Sequence, residues 1–174
     1  MNIKHYLSLL GLIFTLILVS CSSVYDVTST DNQTHFLRKG SKVLVLTSED
    51  GAYGSEIYKG SGLKLSRKIQ SVLADYQCNT QIDLDNSRYK DLEGKDLSNY
   101  DYIIVPIITH WEDRATAWSG IPDRVSFSMF IYNNDGTLIT STDIESKSAA
   151  ATFLNNDPSE LIVPSLQKYF SKAF

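Results

Sequence analysis

Cys21 is the residue of this chain whose surroundings suit a defined reaction. It closes the tetrapeptide Leu18-Val19-Ser20-Cys21, and ahead of it lie Lys4 and a run from Tyr6 to Val19 that is apolar except for Ser8 and Thr15. Small residues beside a cysteine at the end of such a run are what a lipid-transferring enzyme and a signal peptidase need. The pattern reads as a bacterial lipobox, in which the thiol is joined to diacylglycerol and Cys21 becomes the first residue of the mature chain. The run falls short of the about 20 residues that a spanning helix requires. Residues 1–20 are therefore expected to be a signal peptide and not a transmembrane anchor. Ser22 follows the cysteine; an aspartate there would favour the inner membrane, so the expected location is the periplasmic face of the outer membrane.

A second concentration of reactive side chains runs from His110 to Arg124 and holds both tryptophans, Trp111 and Trp118. His110, Glu112 and Asp113 could act as metal ligands or as an acid–base pair. On a strand, however, His110 and Glu112 share a face with Arg114, while Asp113 points the other way. An arginine in that position opposes a cation. The patterns HExxH, paired CxxC and GxSxG are all absent, so nothing completes a nucleophile or metal site. The simpler expectation is a hairpin: a strand running through Trp118, a turn at Ser119-Gly120-Ile121-Pro122, and a return from Arg124. In it Asp113, Arg114, Asp123 and Arg124 pair across the strands and hold the register. Exposed tryptophan and arginine are enriched at interface hot spots, which makes Trp111, Arg114, Trp118 and Arg124 the candidate partner-binding residues. The alternative is a periplasmic hydrolase using His110 and Glu112. No catalytic residue, metal ligand or cofactor is assigned.

Composition sets limits on partners. The 174 residues carry a net charge of −4, and removal of residues 1–20 takes away Lys4 alone, leaving 154 residues at −5. That length supports one domain with a real core. A mildly acidic chain without a run of lysines or arginines is a poor partner for nucleic acid. Cys21 is consumed by the lipid, so Cys78 is the one remaining thiol and no internal disulfide forms. Cys78 directly follows an apolar helical stretch and reads as a small core residue.

The elements that position these residues follow from periodicity. Residues 21–40 are polar and read as a flexible tether; the domain proper spans 41–174. Val43-Leu44-Val45-Leu46 is a buried strand. Past Gly51, Gly54, Gly60 and Gly62, a helix to Tyr76 places Leu65, Ile69, Val72 and Tyr76 on one face. Gln81 to Leu84 is a second strand, parallel to the first, and a short helix falls within 85–100. Tyr102 to Ile108 is a third strand, in which Pro106 requires a bulge or an unpaired N–H side. Val125 to Tyr132 alternates as a half-buried strand, Asn133-Asn134-Asp135-Gly136 is a hairpin turn, and Leu138 to Ser146 returns. A last helix opens at Asp157-Pro158-Ser159-Glu160 with a capping aspartate, proline at the first position and a glutamate closing the box. It buries Leu161, Leu166, Tyr169 and Phe170, with a kink at Pro164. The expected fold is an α/β single-domain sandwich, a mixed sheet of about five strands with an antiparallel meander and two main helices.

Strand, glycines and helix in that order resemble a phosphate cradle, but G-x-x-x-x-G-K-[ST] and G-x-G-x-x-G are both absent, which favours a turn and helix start. The stretches Asp50-Gly51-Ala52-Tyr53-Gly54, Tyr58-Lys59-Gly60-Ser61-Gly62 and, after Pro106, His110-Trp111-Glu112-Asp113-Arg114-Ala115-Thr116 with Trp118-Ser119-Gly120 together resemble a family of small proteobacterial lipoproteins known as a domain of unknown function. The resemblance spans about residues 40–172, and the Trp-Glu-Asp-Arg segment is its most specific part. It implies a lipid-anchored envelope protein with no catalytic residues to carry over. The element order is also similar, at the level of fold alone, to the N-terminal domain of TolB and to the curli-secretion lipoprotein CsgG. The expected role is a non-catalytic binding or assembly module, held to the membrane by acyl chains on Cys21, that meets an envelope protein or a cell-wall component.

Overall fold

The computed structural model describes residues 23–29, 34–114, 121–149 and 157–174. A six-stranded mixed sheet forms the centre, in the order β1-β8-β7-β6-β2-β5. Its strands are β1 (Val24–Ser29), β2 (Lys42–Leu46), β5 (Asn79–Asp83), β6 (Tyr102–Glu112), β7 (Arg124–Asn133) and β8 (Leu138–Lys147). A two-stranded hairpin, β3 (Ala52–Tyr53) with β4 (Glu56–Ile57), stands apart. Strand β2 is parallel to both β5 and β6, whereas β6, β7, β8 and β1 form an antiparallel succession. The apolar run of β2 is explained by its central place, with neighbours on both sides and cover on both faces.

Helices α1 (Ser61–Ala74) and α2 (Ile162–Ala173) lie together on one face. Leu65, Ile69, Val72 and Leu73 of α1, with Ile162, Leu166, Tyr169 and Phe170 of α2, pack on Val43, Val45, Ile104, Phe127, Met129, Ile131 and Ile144. A smaller core on the opposite face joins Leu44, Leu46, Ile103 and Val105 to Leu92, beneath the 3-10 turn Tyr89–Leu92. The rest of that opposite face, across β1, β8, β7 and the end of β6, has no helix over it among the described residues.

Several expectations change. The sixth strand is β1, which lies in the segment read as a tether. Val24-Tyr25-Asp26-Val27 alternates exposed and half-buried, Val27 packs against the core, and β1 pairs with β8 along its length. Leu37 is also a core residue, and the N–H groups of His35 and Leu37 donate to the last carbonyls of α2. The domain therefore begins well before residue 41.

Of the two expectations for Pro106, the unpaired N–H side is the one met, and the proline is not the bulge. The register shifts between Ile108 and His110 instead. The Ile108 N–H faces the β2 side, where it donates to Ser48 Oγ, and Pro106, two residues earlier, has its nitrogen on the same side, beyond the last β2 pairing at Ile104. The ladder thus loses no bond there. Asp157 caps the last helical segment by accepting the Ser159 N–H, but Glu160 does not close the box; it pairs with Lys68 of α1. Pro164 falls in the first turn of α2, where an N–H has no intrahelical acceptor, and the change of helix type at Leu161–Ile162 precedes it. Cys78 is half-buried against the core, and burial pushes its thiol up.

Candidate functional site

The glycine segment and the end of β6, some fifty residues apart in sequence, meet in space. Gly51 is the point of contact: its N–H donates to Ser61 Oγ and its carbonyl accepts from the Tyr58 N–H. A Cβ at Gly51 would lie 2.6 Å from Trp111 Cβ, and one at Gly62 would lie 2.0 Å from the Ser48 carbonyl oxygen. These glycines permit close packing. The two carboxylate oxygens of Asp50 accept the N–H groups of Gly60 and Gly62 at 3.0 Å each. The anion-attracting end of α1 is thereby filled by the chain's own carboxylate.

The bulge decides where the candidate residues point. Before it, Ile103 and Val105 face the smaller core and Ile104 the helices; after it the parity is reversed. Trp111 consequently faces the helix side, only 2% exposed and packed among core residues. It is a core residue and not a surface partner contact, which corrects the expectation from the sequence. His110 and Glu112 point to the open face instead. Trp118 and Cys21 lie outside the described residues.

Glu112 is buried between an arginine and a histidine. One oxygen is 2.5 Å from Arg114 Nε and the other 2.9 Å from His110 Nε2. The Arg114 guanidinium also sits 4.5 Å from the centre of the Tyr53 ring and bonds the Tyr53 hydroxyl. Tyr53 in turn meets the His110 ring edge-on, with centroids 5.2 Å apart. The Arg114 N–H donates to the buried Asp123 carboxylate at 2.6 Å. Arg124, opposite Glu112 in register, pairs with Glu145 at 2.8 Å. Of the pairing expected among Asp113, Arg114, Asp123 and Arg124, one contact is present, from the Arg114 N–H to Asp123; the Arg114 side chain pairs instead with Glu112 two residues earlier, and Arg124 with Glu145 of β8. Asp113 points away toward α1; its side chain is exposed but partly desolvated, and that effect, then the carboxylates of Asp123 and Asp157, raise its carboxyl above the ordinary range. At Asp157 burial acts upward as well, yet the Lys64 ammonium and the Ser159 N–H hold that carboxyl below its usual value.

A shallow cleft of about 390 Å³ on the open face is lined by Asp26, Thr28, His110, Arg124, Ser126 and Glu145. Ser126 lies opposite His110 in register, but its Oγ has no hydrogen-bond partner, so no bond between nucleophile and base exists there. No group of side chains suited to hold a metal is found among the described residues. A larger recess, about 620 Å³, lies away from these residues between the 3-10 turn and the β7–β8 hairpin. Sequence reasoning missed Tyr53, which ties the two segments together. The signal for it was that both stretches occur in one motif set.

A family model described as a domain of unknown function, DUF4823, matches residues 35–172. The chain belongs to this family. The match covers both stretches that meet at Gly51. No curated protein matches. Among solved structures, the family's fold as seen here is similar to PelC from Paraburkholderia phytofirmans, solved as a dodecamer. The identity is 17%, over 83% of this chain and 96% of that one, with a TM-score of 0.60. A point variant of the same PelC dodecamer gives 16% identity over 87% and 100% of the two chains, with a TM-score of 0.61. A Xanthomonas campestris protein of family DUF330 is 8% identical over 82% and 85%, with a TM-score of 0.46. The PelC likeness is one of fold.

Proposed function

We propose that this protein is a lipid-anchored module on the periplasmic face of the bacterial outer membrane, which binds or assembles with other envelope components and catalyses no reaction. The observation that carries this reading is the Leu18-Val19-Ser20-Cys21 pattern ahead of a domain that shares the fold of a dodecamer-forming protein. Two further features support it. Among the described residues both edge strands of the sheet, β1 and β5, have no strand partner on their outer side, and an open edge is a template for pairing with another chain. The reactive side chains near the end of β6 are also spent on one another: Glu112 is held by Arg114 and His110, and Arg124 by Glu145. Arg114 and Arg124 remain candidate contacts for a partner, which is a second copy of the chain, another envelope protein or a cell-wall component. Trp118 belongs to the same proposal through its place in the sequence. The His110–Glu112 contact beside the open-face cleft is what the hydrolytic reading expects, but Arg114 holds the same carboxylate and Ser126 Oγ, opposite His110, bonds to nothing there.

Crosslinking in cells, followed by mass spectrometry, tests the proposal. Wild type is expected to carry acyl chains on Cys21 and to yield multimers or a partner that are lost from a folded Arg114→Ala, Trp118→Ala variant. An unmodified Cys21, together with a chain that stays monomeric and unpartnered, would sink it.

A further inference from the structure

We infer that the end of the sheet where β6 and β8 finish rests directly on the lipid surface, with Val24, Tyr53, Ile57 and Ile121 as its apolar contacts. The inference builds on the lipid-anchor reading and adds an orientation to it. Val24 opens β1 three residues after Cys21, and an extended chain spans at most about 3.6 Å per residue. The start of β1 therefore lies within about 11 Å of the acylated cysteine, a distance comparable to the headgroup layer of a bilayer.

Register shows what shares that end. Val24 pairs with Lys147, Lys147 with Arg124, and Arg124 with Glu112, so one row across four strands stands at the level of the anchor. The β3–β4 hairpin is beside this row, because Tyr53 contacts both His110 and Arg114.

The apolar surface gathers at the same end. Val24 is 59% exposed, Ile57 64%, Ile121 42% and Tyr53 37%. Among the described residues the other exposed large apolar side chains are Leu84, Ile107 and Leu138. Register puts Leu84 and Ile107 at mid-height and Leu138 at the opposite end. An isolated exposed isoleucine needs no explanation; four such residues around the point of attachment suit an interface where apolar side chains dip among headgroups. Lys147, exposed beside Val24, suits a lipid phosphate, whereas Arg114 and Arg124 at this end are held by Glu112 and Glu145. Asp113 and Glu56 at the same end keep the contact at headgroup depth, since a carboxylate is costly in hydrocarbon.

The test uses the full lipidated chain in vesicles of phosphatidylethanolamine and phosphatidylglycerol containing a headgroup nitroxide lipid. Fluorescent labels are placed on Ile57→Cys, Ile121→Cys or Asn134→Cys, each in a Cys78→Ala background. Labels at 57 and 121 are expected to be quenched several-fold more than the label at 134, in the hairpin at the far end. Equal quenching, or a reversed order, on protein whose mass shows an acylated Cys21 would overturn the orientation alone. A blue-shifted but unquenched label at 57 or 121 would also overturn it, because another protein chain then covers the surface. An unmodified Cys21 would overturn the anchor reading and this inference together.

Discussion

The two faces of β6 beyond its bulge differ sharply, although one strand supplies both. On the helix side Trp111 is packed against Gly51 so closely that a single added methyl has no room. On the open side His110 and Glu112 hold one another and Arg114 in a charged cluster that water reaches at its edges. One face is fixed by shape and the other by charge. The helix side therefore serves to hold the hairpin and strand together, and the open side is the one available to a partner.

The extra residue at Thr109 sets this division, and its deletion is the strongest way to break it. The deletion would turn Trp111 outward and drive the Glu112 carboxylate into the apolar core; cooperative unfolding in a denaturant titration is expected to disappear. Trp111→Ala, which leaves the parity intact, is expected to destabilise by about 3–5 kcal/mol in the same titration. Gly51→Ala should follow at about 1–3 kcal/mol, from overpacking against Trp111 and Ile108. Arg124→Ala on the open face should change stability by less than about 1 kcal/mol, as for a solvent-reached ion pair. A loss as large as that for Trp111 would show that the open face is core after all, and the contrast between the faces would collapse.

The smallest effect concerns Asp113. Its carboxyl lies above the ordinary range in the folded chain because of partial desolvation and neighbouring carboxylates, so the folded state binds that proton more tightly than the unfolded one does. Ionisation then works against folding: the contribution of Asp113 is most favourable at low pH and declines as pH rises from the usual carboxylate range through the raised value. Asp113→Asn should stabilise by a few tenths of a kcal/mol, about the scale of screened surface charges, at pH 7 and not at pH 3. Melting temperatures at the two pH values check the sign.

Much of the architecture was legible because periodicity reports burial. The β2 run, the α1 stripe, the alternation in β7 and the turn ending at Gly136 all follow from side-chain pattern and backbone freedom. Strand β1 was hidden by composition: its serine, threonine and aspartate resemble a linker, and only contact with β8 and α2 gives Tyr25 and Val27 a face to occupy. The candidate site was legible in part. Its residues were named, but which of them reach the surface depends on a bulge at Thr109 that no residue type there announces. Trp111 was placed at the surface on residue type alone, and it is the shift that turns it to the helix side: without it, the alternation of the strand puts Trp111 on the open face with Val105 and Ile107.

The carboxylate of Asp50 at the start of α1 makes that helix end a closed competition. A free phosphate or sulfate would have to displace a group tethered through a short loop, whose effective concentration is of the order of millimolar or more. Dilute anions therefore lose to it at equilibrium. The arrangement that elsewhere receives a nucleotide here receives its own side chain, and its selectivity is spent on shaping the hairpin that carries Tyr53.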